Sequence, residues 1–185
     1  MIDIEQFKTI PDAFFEAVRL YADHPFLAVP ANAARAYSPA GTEISYREAG
    51  AGVRKLTDSY RAAGYGVGHR IGLLIENRPE HLLHKLAINA IGACCVPLNA
   101  DSRLAELAFV IDHAKIDLVI VVEQTQGLVR RVVEETQVKP QIVRLEDAQS
   151  DNKLNNRALL PSPKHPAPQV RLARGHESSH IVGTV

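Results

Sequence analysis

Residues 70–122 read RIGLLIENRPEHLLHKLAINAIGACCVPLNADSRLAELAFVIDHAKIDLVIVV and alternate short apolar runs with longer stretches of helical period. Three of the runs are too short for helices and are rich in β-branched or apolar residues, which predicts buried strands. These strands are residues 70–75, 93–98 and 117–122. The stretches between them predict helices, because their apolar residues recur at intervals of three and four. Continuous apolar strands alternating with helices are typical of a mostly parallel sheet with helices on both faces, so we predict an α/β fold with right-handed crossovers.

The same alternation continues on both sides of this stretch. Ser45-Tyr-Arg-Glu48 matches a capping box and predicts a helix that ends at Gly64. The motif Asn77-Arg-Pro-Glu80 suggests similar capping for the next helix. We also predict helices over 9–21, 103–114 and 126–136, a fourth strand over 141–145, and short extended pieces over 26–29, 36–38 and 43–46. Prolines and glycines separate the extended pieces, which indicates a small antiparallel β unit ahead of the parallel sheet.

The chain changes character after Asp147. Prolines at 161, 163, 166 and 168 interrupt a polar stretch, and the apolar residues lose their period. Such composition is typical of linkers. We therefore predict an α/β domain over residues 1–147 and a mobile Pro/Asn-rich linker or displaced tail over 148–185.

Composition excludes several classes of function. The 21 basic and 21 acidic residues balance, whereas nucleic acid or an anionic membrane would require a basic surface. No apolar run has the length of a membrane span, and the N-terminus lacks the pattern of a signal peptide, so we expect a cytoplasmic protein. Cys94 and Cys95 are the two cysteines, and neighbouring residues rarely form an unstrained disulfide. We expect a pair of small buried thiols.

A zinc-site motif competes with these interpretations. His176-Glu-Ser-Ser-His180 matches the HExxH pattern, in which two imidazoles bind zinc and Glu177 acts as general base. It predicts a zinc metallohydrolase as a remote alternative. Prolines crowd its approach and five residues follow it, which leaves no place for a later third ligand. A fortuitous match is the favoured interpretation.

Three further patterns resemble sites but have simpler interpretations. Gly64-Tyr-Gly-Val-Gly68 follows a helix and enters a strand, the reverse of a dinucleotide-binding loop, and predicts a tight turn. Gly50 and Gly52 lie within a helix and predict close packing there. His81 and His84 stand three apart on one helix without a nearby carboxylate or cysteine cluster, so we expect solvated or helix-edge histidines rather than metal ligands.

Five segments follow one another in a fixed order: Ile44–Glu48, Gly64–Gly72, Glu76–Glu80, Ile91–Ala93 and Val96–Asn99. Together they resemble the front end of the AMP-binding, adenylate-forming family, which includes acyl-CoA synthetases and luciferases. The resemblance covers roughly residues 10–145. His69 stands where that family usually has aspartate, a departure that we expect to affect a surface turn.

The resemblance implies a two-step reaction for the parent enzyme. A carboxylate attacks the α-phosphate of ATP, releasing pyrophosphate, and the thiol of CoA then displaces AMP from the acyl-adenylate. ATP, Mg²⁺ and CoA would be its cofactors and substrates. The family's phosphate loop and catalytic lysine would follow this region, so the resemblance assigns no catalytic, cofactor-binding or metal-binding residue to this chain. We expect a truncated, inactive fragment with a scaffolding role; the alternative is a non-catalytic binding module that forms a homo-oligomer through exposed apolar surface.

Overall fold

The structure, a computed structural model of the chain, describes residues 7–145 and 160–166. Two sheets and five helices make up this part. The elements are α1 (Ile10–Leu20), β1 (Pro25–Val29), β2 (Thr42–Ser45), α2 (Tyr46–Ala63), β3 (Arg70–Leu74), α3 (Pro79–Ala90), β4 (Cys94–Pro97), α4 (Leu104–Ala114), β5 (Leu118–Val121), α5 (Glu123–Glu135) and β6 (Gln141–Arg144). Within the described residues, no helix combines the length and apolar character needed to cross a bilayer.

The parallel sheet confirms the predicted fold class. Its strand order is β4-β3-β5-β6, and every neighbouring pair is parallel. Side chains along β3 and β5 alternate between two cores, as the period of a strand requires. Ile71, Leu73, Leu118 and Ile120 point into the first core with α1, α2 and α3, while Leu74, Val119 and Val121 point into the second core with α4 and α5.

The small antiparallel unit is also present, with two strands instead of three segments. β1 pairs with β2, and Leu27 lies opposite Ile44. The predicted extended piece 36–38 is not a strand. The guanidinium of Arg35 donates hydrogen bonds to the carbonyl oxygens of Tyr37 and Ser38, each at 3.0 Å, and Ser38 has a positive φ of 45°. These carbonyls bind a side chain, so the segment forms a loop.

Two of the predicted helix starts are confirmed in atomic detail. The hydroxyl of Thr9 accepts a hydrogen bond from the backbone N–H of Asp12 at 3.2 Å. At the start of α2, the Ser45 hydroxyl accepts from the Glu48 N–H at 3.2 Å, and the Glu48 carboxylate accepts from the Ser45 N–H at 2.8 Å. α2 ends at Gly64 with φ of 98°, the left-handed conformation that glycine adopts without strain.

The predicted cap of α3 is wrong. Pro79 opens this helix and restricts the preceding residue to an extended conformation, so Arg78 becomes the N-cap with φ of −124° and ψ of 159°. Its side chain makes no capping hydrogen bond and pairs with Glu80 instead.

Residues 160–166, predicted as part of a linker or tail, lie against the domain. Leu160 is 7% exposed and belongs to the first core. The amide of Gln141 donates a hydrogen bond to the carbonyl of Ser162 at 2.6 Å. Residues 146–159 and 167–185 lie outside the described part, so the predicted domain boundary at 147 stays a prediction.

Candidate functional site

The strand order creates one place where a ligand site is expected. β3 and β5 are neighbours, but the helix after β3 packs in the first core and the helix after β5 packs in the second. The two loops therefore diverge at the carboxyl ends of these strands. Open α/β sheets bind their ligands in the crevice that forms at such a switch point.

The side chain of Thr125 links the helix on one side of this crevice to the strand on the other. Its buried hydroxyl donates a hydrogen bond to the carbonyl oxygen of Leu74 at 2.9 Å and accepts one from the N–H of Val122 at 3.2 Å. This bond links the first turn of α5 to the end of β3. Thr125 was not predicted as a functional residue, because it lies outside the helix predicted from Gln126, whereas α5 begins at Glu123. A threonine three residues after a buried strand was the available signal.

A cluster of aromatic and charged side chains lies beside the crevice, where the loop between β1 and β2 meets the end of β3. The guanidinium of Arg78 sits over the ring of Tyr37 at 4.7 Å, and that of Arg35 sits over the same ring at 4.9 Å. The hydroxyl of Tyr37 donates to the carbonyl of Asn77 at 2.7 Å. The Nε atom of Arg78 lies 3.0 Å from Oε2 of Glu80. Cation–π contacts and charge pairing therefore engage both guanidiniums within the protein.

These contacts determine which side chains at the crevice are available to bind a ligand or to react. The Thr125 hydroxyl and the guanidiniums of Arg35 and Arg78 all make contacts within the described part of the chain. The prediction that this chain carries no catalytic or cofactor-binding residue stays a prediction. The arrangement is that of a scaffold which holds one loop and one helix start in place.

His84 corrects a prediction, because it is buried instead of solvated. Its side chain is 1% exposed, and its Nδ1 atom lies 2.7 Å from the hydroxyl of Tyr60. Burial lowers the pKa of His84 from 6.5 to about 4. His81 is half-buried, and burial followed by the charge of Lys85 lowers its pKa as well. Among the described residues, no group of three potential ligands could hold a metal ion.

The core around this histidine contains unusual polar atoms. Burial raises the pKa of Tyr60 well above its usual value and raises that of Tyr65 to about 12. Within the described residues, the hydroxyl of Tyr65 and Nε2 of His84 lack a hydrogen-bond partner. The pKa values of all three groups lie far from physiological pH, so they do not form an acid–base pair suited to catalysis.

The two cysteines are free thiols, as expected. They are half-buried rather than buried, because β4 is an edge strand with β3 on one side. Burial raises the pKa of Cys94, and it raises the pKa of Cys95 to about 11. A thiol with a raised pKa is a poor nucleophile, so neither cysteine resembles an activated catalytic residue.

The glycine-rich segment forms the predicted turn, but His69 does not lie on its surface. Gly64 and Gly68 have positive φ angles, and the segment joins α2 to β3. His69 is 1% exposed, and its Nε2 atom lies 3.1 Å from the carbonyl oxygen of His165. The burial arises because residues 160–166 cover this end of the sheet, which the sequence pattern could not reveal.

The HExxH motif falls outside the described residues. His176, Glu177 and His180 all belong to the range 167–185, so the zinc interpretation of these residues stays an untested alternative.

Comparison with known proteins adds a family and a set of relatives. A family profile described as AMP-binding enzyme matches residues 14–177. Long chain acyl-CoA synthetase 2 of Arabidopsis thaliana is 30% identical over 112 residues, which are 60% of this chain and 17% of that protein. Feruloyl-CoA synthase of an Amycolatopsis species is 38% identical over 77 residues, which are 42% of this chain and 15% of that protein. This chain thus spans less than a fifth of the length of either relative.

Solved structures share the fold. The N-terminal subdomain of NpsA from Klebsiella oxytoca, in complex with 3-hydroxybenzoyl-AMSN, aligns with a TM-score of 0.62 at 21% identity, covering 78% of this chain and 32% of that chain. A long-chain-fatty-acid-CoA ligase from Archaeoglobus fulgidus aligns with a TM-score of 0.64 at 18% identity, covering 74% of this chain and 27% of that chain. At such identities the likeness establishes the architecture alone.

Proposed function

Since this chain belongs to the AMP-binding enzyme family, we propose that it forms the N-terminal portion of an ATP-dependent acyl-CoA synthetase. The observation that carries the proposal is the family match over residues 14–177, which spans the whole parallel sheet. The relatives named above, an acyl-CoA synthetase and a feruloyl-CoA synthase, support a carboxylic acid and CoA as the substrate classes.

The proposed reaction has two balanced steps. A carboxylate oxygen bonds to the α-phosphorus of ATP and the bond from that phosphorus to pyrophosphate breaks; Mg²⁺, when bound, would offset the phosphate charge. The CoA thiol then gives up its proton to solvent, its sulfur bonds to the acyl carbon, and the bond from that carbon to the oxygen of AMP breaks. A cytoplasmic location is part of the proposal, because ATP and CoA are the co-substrates.

We assign a scaffolding role to the described part. The Thr125 hydroxyl and the cluster around Tyr37 hold the carboxyl end of the sheet together, and neither presents a free reactive group. We therefore expect the 185-residue chain to be inactive by itself. In an ATP–pyrophosphate exchange assay with a panel of aromatic and long-chain acids, the purified chain should remain at background. Exchange clearly above a heat-denatured control would refute its inactivity.

The ligase assignment needs a separate experiment. The longest reading frame that contains this chain should be expressed and assayed for acyl-CoA formation from ATP, CoA and the same acid panel. Product that depends on both ATP and CoA is the expected result. A folded full-length product that forms no acyl-adenylate with any acid would contradict the assignment.

One observation favours a second candidate, a non-catalytic binding module. The outer side of α4 exposes Phe109 at 65% and Leu104 at 42%, whereas its inner residues Leu107 and Ile111 are buried. A helix that is apolar on both sides is typical of a larger assembly. This candidate predicts a homo-oligomer in sedimentation that dissociates on Phe109→Glu. A chain that sediments as a monomer at all concentrations would exclude the homo-oligomer.

A further inference from the structure

The amino-terminal end of the parallel sheet is covered by a short segment that is distant in sequence. Residues 160–166, LPSPKHP, cross this end, and we name them the strap. Fourteen residues, 146–159, separate the strap from Leu145. Among the described residues, no backbone–backbone hydrogen bond joins the strap to the sheet.

One apolar side chain anchors the strap. Leu160 is 7% exposed and packs in the first core, which also contains Leu145 and the half-buried Val143 of β6. At the end of α2, Gly64 lies next to the Pro163 ring: a Cβ atom added to Gly64 would be 3.5 Å from Cδ of Pro163. The strap therefore fills space on the sheet that the three helices of the first core leave uncovered.

Two side chains of the domain donate to the backbone of the strap. Nε2 of Gln141 donates to the carbonyl oxygen of Ser162 at 2.6 Å. At the other end, Nδ1 of His69 lies 3.1 Å from the nitrogen and 3.2 Å from the carbonyl oxygen of Gly66, and the hydrogen bond to the strap requires a proton on Nε2, because a carbonyl oxygen only accepts. That proton points to the carbonyl oxygen of His165 at 3.1 Å.

These contacts share two features with the recognition of proline-rich peptides, a restricted backbone and side-chain donors to its carbonyl groups. Pro161, Pro163 and Pro166 lack an N–H and restrict the backbone, so such a segment loses little conformational freedom on docking. Side-chain donors that bind its exposed carbonyls, together with pockets for apolar residues, provide recognition without strand pairing.

From these contacts, we propose that the amino-terminal end of the sheet is a peptide-docking groove and that the strap is its intrachain ligand. The groove is formed by Gly64, His69, Gln141 and the first core. If these contacts bind the strap as a ligand, the strap stays bound after the connection is cut. The docking is independent of the proposed ligase function.

The test cuts the connection in the full-length chain. A site-specific protease sequence is inserted between residues 150 and 155, the folded protein is cleaved, and the fragments are separated by size exclusion. We expect the C-terminal fragment to elute with the domain and to be displaced by excess synthetic LPSPKHP peptide. Elution of the two wild-type fragments apart, with the domain still folded by circular dichroism, would overturn the proposal.

Two variants and one control locate the contact. Leu160→Asp places a charge in the core and should release the fragment after cleavage. Gln141→Ala removes one donor without burying a charge, so it should release the fragment several-fold faster than wild type even if Leu160→Asp fails to fold. Ser162→Ala is the control, because the groove binds the carbonyl of Ser162 and its side chain is exposed. Equal retention of the fragment in Gln141→Ala and wild type would contradict the groove.

Discussion

His84 is a titratable group in a buried position, where a charged imidazole is destabilising. It lies between α2 and α3 with Tyr60 at hydrogen-bond distance, and burial holds its pKa at about 4. An unfolded chain binds a proton on this imidazole near pH 6.5, whereas the folded chain binds it near pH 4. Between these values the unfolded state takes up more protons, so stability falls as the pH falls.

We predict that His84→Gln removes part of the acid sensitivity of folding. A shift from 6.5 to about 4 corresponds to roughly 3 kcal/mol of unfolding free energy, fully present above pH 6.5 and lost as the pH falls towards 4. Glutamine keeps a polar partner for Tyr60 but does not titrate. The measurement is urea unfolding at several pH values between 7.5 and 4, with His113→Gln as an exposed-histidine control. An unchanged pH slope in His84→Gln would contradict the prediction.

The burial of His84 had a signal in the sequence. His84, Ala87, Ile88 and Ile91 are spaced by three, one and three residues, which is one helical face. All four are buried in the structure. The predicted solvated or helix-edge position of His84 did not take this spacing into account. The burial of His69 had no such signal, because it depends on residue 165, 96 positions away.

Gly50 supports a close crossing of α1 and α2, and its substitution is predicted to be destabilising. A Cβ at this position would lie 2.8 Å from Cγ1 of Val18, inside the contact distance of two carbon atoms. Gly50→Ala should lower the unfolding free energy by about 1–3 kcal/mol, despite the better helix propensity of alanine.

Gly52→Ala is the matched control for this substitution. Its Cβ would lie 3.4 Å from Cδ1 of Leu83, which is an ordinary contact, so the helix propensity of alanine should leave stability equal or slightly higher. Chemical denaturation of both variants measures the difference. Equal effects of the two substitutions would show that the crossing does not require glycine at position 50.

At the scale of elements, Thr125 joins α5 to β3 through one hydroxyl. Thr125→Val keeps the shape but leaves the N–H of Val122 and the carbonyl of Leu74 without this partner. We expect a loss of about 1–3 kcal/mol in unfolding free energy, because both groups are buried. Thr57→Val is the control, since its hydroxyl bonds to Val53 within the same helix. Denaturant titration that finds the two variants equally stable would argue against the link.

The sequence predicted most helices and strands of the structure. It also predicted where an element begins or ends when neighbouring residues determine that end. The capping box at Ser45 and the glycine at position 64 fixed both ends of α2. The errors lie where a distant side chain decides the outcome. Arg35 binds the carbonyls of residues 37 and 38 and prevents a strand there, and Thr125 extends α5 by three residues.

At the scale of the molecule, both cores share β3 and β5 and should unfold together. Tyr60 and Tyr65 lie in the first core, whereas Val132 is fully buried in the second. Val132→Ala should lower stability by about 2 kcal/mol, and the tyrosine near-ultraviolet signal should report the whole loss. Val67→Ala, at a position that is 52% exposed, is the control. If Val132→Ala does not change the unfolding transition that the tyrosine signal reports, the two cores unfold separately.

The α/β class and the family could be predicted from the sequence, because both depend on local patterns in a fixed order. The tertiary role of residues 160–166 could not. Leu160 lies in a proline-rich stretch without apolar period, and a single buried leucine leaves no periodic signal. The link that Thr125 makes across the crevice was not predicted either, because it depends on a contact with Leu74, 51 positions earlier in the chain.

The position of β3 also has a consequence for biosynthesis. β3 is the first strand of the parallel sheet to leave the ribosome, but it ends in the interior of that sheet. Cys94 follows its partner Arg70 by 24 residues, and Leu118 follows its partner Ile71 by 47. At a translation rate of roughly 5–20 residues per second, both edges of this apolar strand stay open for seconds. We expect the nascent chain to depend on chaperones during that interval.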